Sequence, residues 1–378
     1  GFFADLVRGY KHTALYTSVD FDIIPNKLTL TAGTRWFRYD EDEVGQDVGS
    51  FYCKYYGGQV ATNFGPCSPT NYNGYGPGGP YGININDSTT AKGFRSRGNL
   101  SWHVTSDAML YYTWSQGFRP GGFNRGTSGH LPDQNGVDQY ITPLVYAPDS
   151  VTNNEFGWKT TWFGGRVLFN GSIYQESWSN VQTGIDDPQE GLGNLAFSTN
   201  GPSYRVRGVE PSIAARIAAG LTLTGSAAWN SSSQTNSPYL IVNNPKSVNF
   251  GQTITSIPNP FGPLGSSLPY TPPFKGSLVL RYTWSFMDYV LFAQLSGEHQ
   301  AHSFTATGYV QGFELPAFST YDASLGISKD SWHIVLYGDN LTDSDTYLNK
   351  SITNGLVEEF PMRPRVVAIK VGYDFLRK

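Results

Sequence analysis

The feature that most constrains this chain is the order of its connections. Segments with an apolar residue at every second position recur from one end to the other, the period of a strand with two unlike faces. In 365–375, Val367, Ile369, Val371, Tyr373 and Phe375 oppose Ala368, Lys370, Gly372 and Asp374. In 93–105, Phe94, Leu100, Trp102 and Val104 oppose Arg95, Arg97, Asn99, Ser101 and His103. In 27–39, Leu28, Leu30, Ala32 and Trp36 oppose Thr29, Thr31 and Arg35. The pattern predicts about thirteen strands, near 8–21, 27–39, 93–105, 108–118, 151–163, 166–180, 204–216, 219–232, 273–284, 288–301, 317–328, 331–341 and 364–375. Short turns at Asp22–Asn26, Ser106-Asp107, Gly164-Gly165, Ala218, Ser285–Met287 and Lys329-Asp330 alternate strictly with loops of about fifteen to about fifty residues. A soluble sandwich has no reason to keep this up. A barrel in an outer membrane does, with short periplasmic turns, long extracellular loops and strands of roughly ten residues.

Composition removes the other classes. Aromatic residues are 15% of the chain and charged residues also 15%, against roughly 25% charged in ordinary soluble domains. So many aromatics exclude disorder, and 43 glycines exclude a mainly helical protein. Apolar runs of about 18 residues, the length of a membrane helix, are missing; the richest stretch, Ile213–Leu223, is broken by Arg216 and Gly220. A net charge of −4 gives no basic excess for a nucleic-acid partner. A soluble propeller would need a repeat of fixed period, and none is visible. Aromatics near the ends of the apolar faces suit interface girdles: Trp36, Phe37 and Tyr39; Tyr112, Trp114 and Phe118; Trp158, Trp162 and Phe163; Tyr282 and Trp284; Tyr373 and Phe375. The expected fold is all-β, a transmembrane antiparallel β-barrel.

Bacterial single-chain barrels have even strand numbers. Thirteen is odd, and strands one and thirteen would both run towards the short-turn side, so they cannot pair antiparallel. Part of a larger barrel is therefore expected. The start Gly1-Phe2-Phe3-Ala4-Asp5 lacks a secretory signal, which suits a mature chain or a fragment. Cys53 and Cys67 share one polar loop. We expect a disulfide in an oxidising compartment, worth roughly 3 kcal/mol for a loop of about 15 residues.

Several segments resemble the TonB-dependent outer-membrane receptors. Gln116-Gly117-Phe118-Arg119-Pro120-Gly121-Gly122-Phe123-Asn124 resembles a strand-end motif of that family, and Gly208-Val209-Glu210 its GVE strand. Tyr321-Asp322-Ala323-Ser324-Leu325-Gly326 is similar to a late strand, and Asp339-Asn340-Leu341-Thr342-Asp343 with Tyr347 to the penultimate strand and loop. Pro364-Arg365 before the last strand looks like the family's C-terminus. The resemblance spans residues 1–378. It implies a 22-stranded barrel with its C-terminal thirteen strands here; the N-terminal plug, its TonB box and the first strands lie outside this sequence. It also implies a bacterial, Gram-negative outer-membrane location, contact with lipid and lipopolysaccharide, and partnership with the TonB complex through the plug.

Candidate chemistry is that of binding. No G-x-S-x-G elbow precedes a helix, so an enzyme is not expected, nor a cofactor. Glu298-His299-Gln300-Ala301-His302 holds the one close histidine pair, but i and i+3 point to opposite strand faces, and we expect a polar loop rim rather than a metal site. Asp40-Glu41-Asp42-Glu43, with Asp47, is read as the start of the longest loop: a solvated acidic run or, alternatively, a cation site. Asp343-Ser344-Asp345 lacks the glycine and distal glutamate of a calcium loop. Arg35, Arg95 and Arg97 on inward faces, with Arg119 and Arg125 at a loop base, suit an anionic ligand, because arginine grips carboxylate, phosphate or catecholate oxygens bidentately. The alternative is that a wet lumen or a plug surface wants polar partners. Tyr52, Tyr55, Tyr56, Tyr72, Tyr75 and Tyr81 could stack on a ligand or form an adaptable surface. The expected function is energised uptake of a scarce large solute, by default a ferric siderophore, with carbohydrate, haem and cobalamin open. The rivals are a passive porin and a structural or binding barrel.

Overall fold

The structure is a computed structural model that describes residues 2–49, 82–124, 129–185, 197–306, 312–353 and 356–375. Thirteen of its strands form one sheet in chain order, each antiparallel to the next. They are β1 (Phe2–Ile24), β2 (Leu28–Gly49), β3 (Gly82–Thr105), β4 (Ala108–Arg119), β5 (Asp149–Trp162), β6 (Val167–Ser179), β7 (Tyr204–Ala218), β8 (Leu221–Gln234), β9 (Phe274–Phe286), β10 (Tyr289–Gln300), β11 (Phe318–Lys329), β12 (Trp332–Asp339) and β13 (Val366–Tyr373). Strand number, order and the alternation of short and long connections match the pattern read from the sequence. The edges β1 and β13 run in the same direction.

The ladder register shows why the sheet has an apolar side. Phe21, Leu30, Leu100, Tyr112, Phe156, Ile173, Val209, Trp229 and Phe274 are cross-strand partners in one continuous row over nine strands. Because side chains alternate across a pleated strand, the row can face only one way. Val367, Ile369 and Val371 of β13 sit on the same side, 66%, 68% and 59% exposed. Such exposure would be a liability in water; it is the outer surface of a membrane wall.

Two sequence expectations need correction. Phe37, Tyr39 and Phe118 do not join an outer girdle. Phe37 and Tyr39 share the face of Arg35, one residue out of phase with Trp36, and Phe118, past the last β3–β4 pair at Ser115, stacks on the buried Phe37. The acidic run also does not begin a loop. Hydrogen bonding carries β1 and β2 beyond their apolar stretches, so Lys11 pairs with Asp40, Tyr10 with Glu41 and Arg8 with Glu43. Glu43 is 2% exposed and takes two hydrogen bonds from Arg8, at 2.9 and 2.8 Å. Asp40 accepts from Arg38 at 2.8 Å and from the Thr90 hydroxyl at 2.6 Å. Charged partners on the neighbouring strand make an extended conformation there as good as a loop.

The long connections build a second body of structure on one side of the sheet. Short hairpins pair Gly129–Pro132 with Asp138–Ile141, Gln182–Ile185 with Phe197–Asn200, and Tyr347–Thr353 with Leu356–Pro361. Tyr140, Ile185, Phe197, Leu240, Val242, Ile254 and Phe261, from three different connections, make one buried apolar cluster. No helix among the described residues is long and apolar enough to cross a membrane; the crossing elements are strands.

Candidate ligand-binding surface

On the inner face, Arg35 of β2 lies opposite Arg95 of β3, and Arg97 lies opposite Gly33. Two antiparallel partners share a face, so three guanidinium groups gather over two strands. Arg35 donates from Nη2 to His12 Nε2 at 3.0 Å. The Arg95 guanidinium stands over the rings of Phe37 and Phe118, 5.5 and 4.9 Å from their centroids, and donates to the Phe94 carbonyl at 2.8 Å. Its Nε is buried without a hydrogen-bond partner. The Arg97 stem packs beside Gly33, where a Cβ would lie 3.4 Å from its Cγ. Among the described residues, none of the three forms an ion pair with a carboxylate. Tyr39 stacks on Tyr10 at 5.7 Å beside His12. The surface offers cations and aromatic faces together, which is what a planar, anionic ligand needs.

Arg119 is placed differently. It ends β4, and its Nε donates to Asp149 Oδ2 at 2.8 Å while Nη2 contacts the same oxygen. Its guanidinium lies 4.8 Å over the Trp178 ring. Asp149 is 1% exposed and also accepts from the Gln182 amide at 3.2 Å. Burial alone would raise its pKa, but the hydrogen bonds from Arg119 and Gln182 outweigh that and hold it below the ordinary carboxylate range. Arg119 thus ties the ends of three strands where two long loops begin. Arg125 lies outside the described residues, as do Cys53, Cys67 and the loop tyrosines from Tyr52 to Tyr81. His299 bonds the Ser319 hydroxyl at 2.8 Å, and His302 lies beyond the strand, edge-on to Phe304.

The motif segments turn out to be anchors. Asn124 is buried; its amide nitrogen donates to the carbonyls of Pro143 and Ser198, both at 2.7 Å, and its oxygen accepts from the Ser198 amide at 2.7 Å. A Cβ on Gly121 would collide with the Tyr146 carbonyl oxygen, so only glycine lets the loop return there. Asn340, in the left-handed region at φ 49°, ties the Ser344 and Arg363 carbonyls, and its own amide donates to Asp322 at 2.9 Å. The segments 321–326 and 339–343, on neighbouring strands, therefore meet through this bond and through a second from the Leu341 amide to the Tyr321 carbonyl at 2.8 Å. Sequence reading missed Asp149 and Asp133 altogether. Asp133 accepts from the amides of Asn135 and Val137 and from Ser247 and Val248 of another loop, at 2.9, 3.0, 2.8 and 3.1 Å. An aspartate two residues before an asparagine in a polar loop was the only available signal.

A family model described as TonB dependent receptor-like, beta-barrel matches residues 5–341. The chain belongs to the TonB-dependent receptors. The family's barrels are outer-membrane proteins with transport-receptor roles. Among solved structures, the chain is similar to the ferric yersiniabactin uptake receptor FyuA from Yersinia pestis, at TM-score 0.70 and 14% identity over 98% of this chain and 46% of that one. It is similar to the closed form of the ferric-catecholate import receptor Fiu from E. coli K12, at TM-score 0.66 and 16% identity over 97% and 45%. A third likeness is to the siderophore receptor PiuA from Acinetobacter baumannii, at 0.65 and 14% over 98% and 44%. The chain thus spans under half the length of these receptors, and the likeness is one of fold. A search of curated proteins found no match.

Proposed function

We propose that this TonB-dependent receptor barrel takes up a ferric siderophore, an anionic iron chelate too large and too scarce for passive entry. Coupling to the TonB complex would run through a plug outside this sequence, with residues 1–378 as the C-terminal part of a 22-stranded barrel. The observation that carries the reading is the inward grouping of Arg35, Arg95 and Arg97 beside Phe37, Phe118 and Tyr39, cations without carboxylate partners among the described residues. Catecholate or carboxylate oxygens would take bidentate hydrogen bonds from the guanidinium groups, while aromatic ligand rings stack on the exposed phenol of Tyr10 beside Tyr39. Arg119, held by Asp149, would set the height of the loop base over that surface, and Arg125 directly follows the Asn124 anchor in sequence.

Cells that depend on this receptor should accumulate iron-55 from a ferric siderophore, and collapsing the proton gradient should stop uptake. The triple substitution Arg35→Gln, Arg95→Gln, Arg97→Gln should weaken surface binding about a hundredfold, on the basis of roughly 1.5–3 kcal/mol per lost charged hydrogen bond with partial compensation. Uptake that survives loss of the gradient would instead favour a passive pore.

A further inference from the structure

Past their apolar stretches, β1 and β2 carry a second constellation on the inner face. His12 pairs with Tyr39 across the two strands, and Tyr10 pairs with Glu41. Residues two apart share a face, so one imidazole, two phenols and one carboxylate stand at the corners of a patch roughly 5 Å wide across the strands and roughly 7 Å long along them. The Tyr10 and Tyr39 rings stack across the diagonal, 5.7 Å between centroids and 9° from parallel. The His12 ring lies 5.9 Å from that of Tyr39. Burial raises the pKa of the Tyr39 phenol, and Glu41 and Tyr10 raise it further, which places both within electrostatic reach of its oxygen.

The neighbouring charges leave these groups uncommitted. One row up, Arg8 is bound to Glu43 at 2.8 Å. Among the described residues, Glu41 forms no ion pair, and neither it nor the hydroxyls of Tyr10 and Tyr39 make a hydrogen bond. One row below Tyr39 and Phe37, Arg35 Nη2 lies 3.0 Å from His12 Nε2. A guanidinium only donates, so Nε2 carries its lone pair and His12 is neutral. Tyr10 is 72% exposed, which leaves the patch open to an incoming solute.

This group of donors suits one kind of ion. Two phenolates and a carboxylate bring three negative charges on hard oxygen, and the imidazole adds a neutral nitrogen. Calcium and magnesium take oxygen alone, and zinc and copper sites are richer in imidazole or thiolate. We propose that Tyr10, His12, Tyr39 and Glu41 bind a ferric ion directly, received from a weak carboxylate chelate. Bonds from the ion to chelate oxygens are replaced by bonds to the two phenol oxygens, the Glu41 carboxylate and His12 Nε2. The two phenol protons pass to the departing chelate, and the iron stays ferric throughout. Arg35, losing His12 as acceptor, turns its donors to the released carboxylates. None of the arginines is an iron ligand, so the site stands apart from the siderophore reading and takes metal that arrives without a siderophore.

The test is a titration of the full-length, iron-free receptor in detergent with ferric nitrilotriacetate, followed by visible absorption and by iron bound per receptor. One ion should bind and give a phenolate-to-iron charge-transfer band. The double variant Tyr10→Phe, Tyr39→Phe keeps both rings and their stacking, and heat-modifiable gel mobility checks its folding. It should lose the band and bind iron about a hundredfold more weakly, at the upper end of what loss of a residue that only orients a metal ligand costs. Glu41→Gln should weaken binding while the band persists. The variant Arg35→Gln, Arg95→Gln, Arg97→Gln should keep the band, so failure of siderophore binding and failure of this site are told apart. A band lost with the arginines alone would overturn the independence of the site. An unchanged band in the folded double tyrosine variant, or no band in the unaltered receptor, would overturn the proposal. Displacement of the iron by an equal concentration of zinc would overturn the assignment to a trivalent ion.

Discussion

The strand wall and the loop assembly use the same residue types in opposite ways. On the wall, Ile369 is 68% exposed, Leu295 59% and Leu325 56%. In the loops, Ile185 and Val242 are each 1% exposed and Phe261 2%. The wall's apolar residues mostly face outward, and the apolar cluster buried among the described residues is built by three extracellular connections. Lipid tails are as apolar as leucine, so side chains on the wall gain little from meeting one another, and the sheet is held by its hydrogen-bond ladder. The loops stand in water and need an ordinary core. Truncating that core should therefore have the largest local effect in the molecule. Phe261→Ala should cost about 3–5 kcal/mol of loop stability, read as faster amide exchange in 235–273 and easier proteolysis there. The wall should keep its heat-modifiable gel mobility. If the wall failed with the loops, the two regions would be one cooperative unit and the contrast would break.

The wall responds to a different insult. Leu280 faces lipid in the row with Leu223 and Leu295, while its neighbour Val279 faces inward. Leu280→Arg should cost about 2–4 kcal/mol, the penalty for a cation near the bilayer midplane. Val279→Arg, one residue away, should cost little, since the lumen side is polar. Urea titration of both variants in lipid vesicles would measure the difference. Equal penalties would mean that the two faces have been assigned wrongly.

Between the regions lies the Arg119–Asp149 pair, which gives the loop base a sign-defined pH dependence. The folded pKa of Asp149 lies below its ordinary value. The pair's contribution is therefore complete above the unfolded pKa of about 3.9 and is lost as pH falls through the lower folded value. Loop-base order, followed by fluorescence of Trp178 under the guanidinium, should be flat from pH 7 to 5 and should fall only in stronger acid. Arg119→Ala should cost about 2 kcal/mol, less than a fully buried pair because Arg119 is itself half exposed, and should remove that acid transition.

These effects follow how much was legible in the sequence. The wall was legible because its code is local: period 2 places Val367, Ile369 and Val371 on one face without reference to any partner. The loop core was not, because Tyr140, Phe197, Leu240 and Phe261 meet from connections separated by whole strands, and no local period marks them. Phe37 was misplaced for a different reason: its aromatic ring was counted toward a girdle although the period already set Trp36 on the apolar face and Phe37 with Arg35, where Arg95 and Phe118 cover it. Arg35 and Arg95 could be placed on inward faces from sequence, but their direct opposition depends on the register, which the intervening long loop hides. The motif segments were visible, but their work as anchors rests on contacts such as Asn124 with Ser198, 74 residues apart.

The smallest effect is the most discriminating. Ile369 pairs with Leu336, which pairs with Leu325, in a lipid-facing row near the end of the sheet. In a water-type core, Ile→Ala costs about 2–5 kcal/mol because a cavity remains. On the wall no cavity forms, because a mobile acyl chain fills the space that the side chain leaves. Ile369→Ala should then cost under about 1 kcal/mol, measured by the same urea titration in vesicles as the arginine variants. In detergent, whose tails also adapt, the result should be the same. A cost as large as that of the Phe261 substitution would mean that Ile369 is covered by protein, and that a further element seals this edge of the sheet.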